Sequence, residues 1–174
     1  MRTPIPRLLL PAILLVLVLI SSCGREEPTV APPPPVIPGE VVMNEVFAAG
    51  TPGNLDWIEI YNPSTQPVDI SGYKIYDVGG QGGTKDKKKF PAGTVVAPKA
   101  FYVIVTDTTV SGNDGFGLSG TSGETVWLEN GAGSVVDVIA FPALTAAQSY
   151  GRLPDGGTTW QILSTVTRGA ANKQ

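Results

Sequence analysis

From Val41 onward the chain alternates short runs of β-forming residues with clusters of Gly, Pro, Asn and Asp. The clearest runs are residues 41–47, 57–61, 73–77, 94–96, 101–106, 125–129 and 135–141, with weaker ones at 149–151 and 160–163. No window sustains helical periodicity. About seven to nine short strands with regular turn signals predict an all-β sandwich or barrel. In Trp57-Ile58-Glu59-Ile60-Tyr61 the alternation turns Ile58 and Ile60 to the core. Val126 and Leu128 do the same between Thr125, Trp127 and Glu129. Residues 101–105 are apolar on both faces, which predicts a central strand. Gly131-Ala132-Gly133 between two runs predicts a hairpin connection.

A different pattern precedes residue 41. Arg2 and Arg7 lead into an aliphatic stretch from Leu8 to Ile20, followed by Ser21, Ser22 and Cys23. A charged start, an apolar middle and small residues at the end form a secretory signal. The apolar stretch is about 13 residues, whereas a spanning helix needs roughly 20. Cys23 after two small residues resembles the lipobox of bacterial lipoproteins. That resemblance implies removal of residues 1–22 and lipid attachment at Cys23. The chain has a single cysteine, so no internal disulfide can form. An ordinary secretory signal with a free thiol at Cys23 is the alternative; lipidation would consume that thiol. More than one acyl chain gives stable anchoring, where one alone binds marginally. Gly24, in place of the Asp that marks inner-membrane retention in the enteric sorting rule, implies the outer membrane. Arg25-Glu26-Glu27 resembles a surface-export tag of some Bacteroidota lipoproteins, with a solvated charged tether as the equal alternative.

Residues 28–39 include Pro32-Pro33-Pro34-Pro35 and Pro38, which predict a disordered, polyproline-like spacer. At about 3.1 Å per residue, residues 24–40 span roughly 50 Å. The expected organisation is a signal peptide at 1–22, a lipidated N-terminus and tether at 23–40, and one domain at 41–172. Taking Arg2 and Arg7 from the 12 basic residues leaves 10 against 15 acidic ones. The resulting net charge of about −5 makes the processed chain a poor general nucleic-acid binder.

The order of motifs within the domain is specific. Val42-Met43-Asn44-Glu45-Val46 opens it, and Asp56-Trp57-Ile58-Glu59-Ile60-Tyr61-Asn62-Pro63 follows. Then come Val68-Asp69-Ile70-Ser71-Gly72-Tyr73, Phe90-Pro91-Ala92-Gly93-Thr94, Gly123-Glu124-Thr125-Val126-Trp127-Leu128 and Val135-Val136-Asp137. Ser149-Tyr150-Gly151-Arg152-Leu153-Pro154-Asp155-Gly156, Trp160 and Thr167-Arg168-Gly169-Ala170-Ala171-Asn172 complete the series. This order resembles the bacterial branch of the lamin tail domain family across residues 41–172. Arg168 departs from it, standing where the family more often has proline. The resemblance implies an immunoglobulin-like β-sandwich. Much of the signature also has a purely structural meaning. Asn62-Pro63 ends a strand, Asp69 and Ser71 can accept bonds from nearby backbone N–H groups, Gly72 permits a turn, and Pro91 and Gly93 punctuate another. Trp57, Trp127 and Trp160 are expected to cover the rims.

The chain contains no histidine, which excludes Ser-His-Asp and Cys-His triads and histidine-ligated zinc. Gly79-Gly80-Gln81-Gly82-Gly83 precedes lysines rather than a helix and reads as a flexible loop, with a phosphate cradle as the weaker alternative. Asp56, Glu59, Glu45 and Asp69 are candidates for a glycosidase pair or a calcium site; solvated or turn-capping carboxylates are the favoured alternative. Lys85, Lys87, Lys88 and Lys89 form the one concentrated charge. They suit either an edge strand protected against aggregation or contact with an anionic partner such as DNA, glycan or lipid headgroups. No catalytic residue, cofactor or metal is expected. The signal, Cys23 and the lamin-tail resemblance together lead to the expectation of a non-catalytic binding or scaffolding module in the cell envelope, at the outer membrane or cell surface. Its expected partners are the membrane, through acyl chains on Cys23, and an envelope protein or polymer, with nucleic acid ranked behind. An accessory module for an anionic polymer beside a separate hydrolase is the alternative, and a carboxylate-dependent hydrolase the more distant one.

Overall fold

The computed structural model describes residues 40–48, 54–85, 87–107 and 115–174. The signal, Cys23 and the tether through residue 39 lie outside the described residues. The elements are β1 (Val42–Phe47), β2 (Trp57–Tyr61), β3 (Val68–Asp69), β4 (Lys74–Tyr76), α1 (Val78–Gly82), β5 (Lys88–Lys89), β6 (Val95–Val96), β7 (Phe101–Val105), β8 (Glu124–Glu129), β9 (Val135–Phe141), β10 (Ser149–Arg152) and β11 (Trp160–Leu163). They build an immunoglobulin-like β-sandwich. One sheet has the order β11-β10-β1-β2-β7 and the other β5-β4-β8-β9, while β3 and β6 pair separately.

Ile58 and Ile60 from one sheet meet Val126, Leu128 and Ile139 from the other in a single core, as the alternation predicts. On β1, Met43 lies opposite Ile60 and Val46 opposite Ile58, so these two share the core face. Glu45 lies opposite Glu59 and Phe47 opposite Trp57, which puts that quartet on the other face of the sheet. A register shift between Met43 and Glu45 puts Met43 and Val46, three positions apart, on the same face.

The expected turns form. Ser71 N–H donates to Asp69 Oδ1 at 2.8 Å, and Gly93 N–H to Ser71 Oγ at 2.8 Å. Gly72 takes φ +75°, a value glycine adopts without steric cost. The Gly131–Gly133 connection joins β8 to β9, with Asn130 Oδ1 accepting from Ala132 and Ser134 N–H.

Four expectations change. First, β7 is an edge strand among the described residues rather than a central one, and four of its five residues are only half-buried. Its outer positions Phe101, Val103 and Val105 lie opposite Tyr61, Glu59 and Trp57 on the outer face of the sheet. Second, Val78–Gly82 is a short helix, not a flexible loop. Asp77 Oδ1 caps it by accepting from Gly79 N–H at 2.8 Å and Gly80 N–H at 3.1 Å. Third, Trp57 is 1% exposed and lies flat against Phe47 rather than at a rim. Fourth, the short strand β3 was not expected, because two residues carry no readable period, whereas β5 is the edge strand that the lysines suited.

Candidate functional site

The outer face of the five-stranded sheet carries two carboxylates where a solvated face would be expected. Glu45 and Glu59 are each 0% exposed. The cover is the segment that follows β11, residues 164–172, which lies over this face as a strap. Gly169 N–H donates to Glu59 Oε2 at 2.7 Å. Thr167 N–H donates to Glu45 Oε1 at 3.0 Å, and Thr167 Oγ1 lies 3.0 Å from Glu45 Oε2. Ser149 Oγ–H also donates to Glu45 Oε1, at 2.5 Å.

Asn44 and Asn172 knit the strap to the strands. Asn44 Nδ2 donates to Glu59 Oε1 and Asp155 Oδ1, both at 3.0 Å, while its Oδ1 accepts from Gly156 N–H. Asn172 Nδ2 donates to the carbonyls of Asn44 and Arg152, and its N–H to Asp155 Oδ1. Arg168 lies over the Trp57 ring, 5.7 Å from the centroid. Burial pushes Glu59 up to about 7, aided by the charges of Glu45 and Asp155 and opposed by the bonds from Asn44 and Gly169.

A second polar centre sits between the sheets. The Arg152 guanidinium on β10 pairs with Asp137 on β9, at 3.0 Å to Oδ2 and 3.2 Å to Oδ1. Arg152 Nε–H also donates to the Met43 carbonyl at 2.7 Å, and Met43 N–H donates to Asp137 Oδ2 at 2.9 Å. The β1 irregularity thus gives Met43 backbone groups to a buried ion pair. Burial pushes the Asp137 carboxyl up, against the pull of Arg152.

The lysines lie along one edge. Lys88 and Lys89 form the edge strand β5, paired with β4. They border a cavity of about 440 Å³ with Pro91 and with Tyr102, Val103, Ile104 and Val105 of β7. Lys87 Nζ is 2.5 Å from Glu129 Oε2 and 4.0 Å from the centre of the Tyr76 ring. Lys74 Nζ holds Glu129 Oε1 at 2.8 Å. Lys85 Nζ lies 3.4 Å from Asp77. Burial works against the Glu129 charge, but Lys74 and Lys87 outweigh it and hold the carboxyl at about 2.

The four candidate carboxylates do not form one site. Glu45 and Glu59 come together, under the strap. Asp56 is buried and accepts from Leu118 N–H at 2.7 Å. Asp69 stands apart on β3, where it caps a turn. Only Asp69 is a solvated turn cap. The expectation of solvated groups fails for the other three because later segments fold over them. Among the described residues no group of three or more metal-binding side chains converges. The structural partners Asn44, Asp137, Arg152, Thr167 and Asn172 were quoted in the sequence motifs but not singled out. A polar pair inside the apolar β1 run and a lone arginine on β10 were the available signals.

A family model described as Lamin Tail Domain matches residues 36–143. That span ends just after β9, so β10, β11 and the strap lie beyond it. No curated protein and no solved structure matches the chain.

Proposed function

The chain belongs to the lamin tail domain family, whose domain is a non-enzymatic immunoglobulin-like module, and on that premise we propose a lipid-anchored cell-envelope protein whose domain binds or scaffolds an envelope partner. Cys23 carries the acyl chains, and the proline-rich segment holds the sandwich away from the headgroups. Outer membrane or cell surface is the proposed location.

The observation that supports a non-catalytic role is the use of the buried carboxylates. Glu59 has the raised pKa of a general acid and lies beside Glu45. Both carboxylates are nevertheless buried under the strap, and their oxygens accept from backbone and side-chain donors of the fold. Such groups hold structure together rather than face a substrate. The anionic-polymer alternative draws less support, since Lys74 and Lys87 direct their charge to Glu129 and Lys85 to Asp77.

Cys23→Ser in the full chain tests the anchor. The wild-type chain is expected in the membrane fraction and the variant in the soluble envelope fraction; a variant that stays with membranes overturns the anchor. Cross-linking of the full chain in intact cells tests the binding role. Recovery of a defined envelope protein or polymer supports it. Recovery of none, where a control lipoprotein yields its partner, overturns it.

A further inference from the structure

The strap presents an electrostatic problem that its geometry leaves unsolved. It seals Glu45 and Glu59 on neighbouring strands, with Asp155 joined to the same network through Asn44. Closing it brings neutral donors to the pair: Thr167 N–H, Gly169 N–H and the Thr167 hydroxyl. Its one arginine, Arg168, is placed over the Trp57 ring. The groups facing Glu59 can be read element by element. Glu45 faces it from β1, Asp155 from the loop after β10, and Gly169 N–H from the strap. β7 places the apolar Val103 opposite. Tyr61, two positions along β2, feels the same Asp155 charge. Among the described residues no ammonium or guanidinium ranks with the main influences on the Glu59 charge.

Burying like charges without a cation is costly, and a proton is the remedy at hand. We propose that closure of the 164–172 strap over the outer face of the five-stranded sheet is proton-linked: it is tightest with Glu59 protonated and loosens once Glu59 is ionised. An opened strap would uncover Trp57 and the carboxylate pair, a face of aromatic and acidic character. The linkage follows from the cover and its charges, and stands independently of the anchor and of any partner.

The sign is fixed by which state prefers the proton. In the closed state Glu59 titrates at about 7; exposed to water it returns to its ordinary value of 4.5. The closed state therefore binds more protons between these limits, and rising pH favours opening. From pH 5 to pH 8 the open fraction should grow on the order of 50-fold, then level off.

Amide hydrogen exchange of the full chain in mild detergent, corrected for intrinsic rates, reads this directly. Protection of the Thr167 and Gly169 amides should fall on the order of 50-fold from pH 5 to pH 8. Core amides such as Val126 and Ile139 should lose less. Glu59→Gln should flatten the profile, and Asp155→Asn should shrink it by removing one like charge. If Glu59→Gln does not fold, the wild-type profile still decides, because its plateau must coincide with the Glu59 carboxyl titration followed by carbon NMR. A pH-independent Gly169 amide overturns the proposal. So does a fall of equal size at Val126 and Ile139, which would mean global unfolding rather than strap opening.

Discussion

Arg152 reaches across the interior of the sandwich and pairs with Asp137 on the opposite sheet, 3.0 Å away, with both side chains almost wholly buried. The same guanidinium lies over the Trp160 ring and holds the Met43 carbonyl. One side chain thereby ties β10 to β1 and to β9. Removing one member of a buried pair leaves the other uncompensated, at a cost of roughly 3–5 kcal/mol. Arg152→Met and Asp137→Asn should each destabilise by about that amount in urea unfolding. The double variant should cost less than the sum.

Glu129 and Glu59 push stability in opposite directions with pH. Glu129 is held at about 2 against an ordinary 4.5, so its contribution is complete above 4.5 and is lost as pH falls through 2. Glu59 is raised from 4.5 to about 7, so its contribution is complete below 4.5 and is lost as pH rises through 7. A plot of Tm against pH should therefore peak in mild acid, near about pH 4.5. Lys74 and Lys87 are each about one-third exposed, which screens their pairs with Glu129. Glu129→Gln should cost only about 1–2 kcal/mol at pH 7 and flatten the acid limb.

Gly151 lies where the strap meets the sheet. A Cβ there would come within 2.6 Å of Leu163 Cδ1 and 2.7 Å of Asn172 Nδ2. Asn172 cannot move aside freely, since it bonds the Asn44 and Arg152 carbonyls. Gly151→Ala should destabilise by about 2 kcal/mol. It should also raise exchange at the Thr167 amide more than at Val126.

Asn62 holds the connection after β2. Its Nδ2 donates to the carbonyls of Gln66 at 2.8 Å and Val96 at 2.9 Å, and its Oδ1 accepts from Ser64 N–H at 2.9 Å. The residue is 0% exposed and its bond to Val96 is buried, so that carbonyl would be left unpaired, while Ser64 and Gln66 keep access to water. Asn62→Ala should cost about 2–3 kcal/mol in thermal or urea unfolding, with the largest loss of amide protection at Ser64.

The strands were legible because a half-buried strand writes its face every second residue. Trp57–Tyr61 and Val135–Phe141 form as expected. Ile58, Ile60, Val126 and Leu128 face the core as their alternation required. The same period misled at Glu59. A charged residue between two isoleucines reads as facing water, and it does face away from the core. Alternation cannot say that a segment more than a hundred positions later covers that face. β7 failed for a related reason, since apolar residues on both faces fit an edge strand beside a partly open cavity as well as a central one.

By itself the sequence determined an all-β domain, its main strands, the turns at Asp69–Ser71 and Gly131–Gly133, and the exclusion of histidine chemistry. These are local properties, set by side-chain period, turn geometry and the residue types present. Only the tertiary structure decided that Glu45 and Glu59 lie side by side in the dark, that Arg152 pairs with Asp137, and that residues 164–172 form the strap. Each of those joins residues distant in the chain, and burial and electrostatic cost depend on that juxtaposition rather than on any run of neighbours.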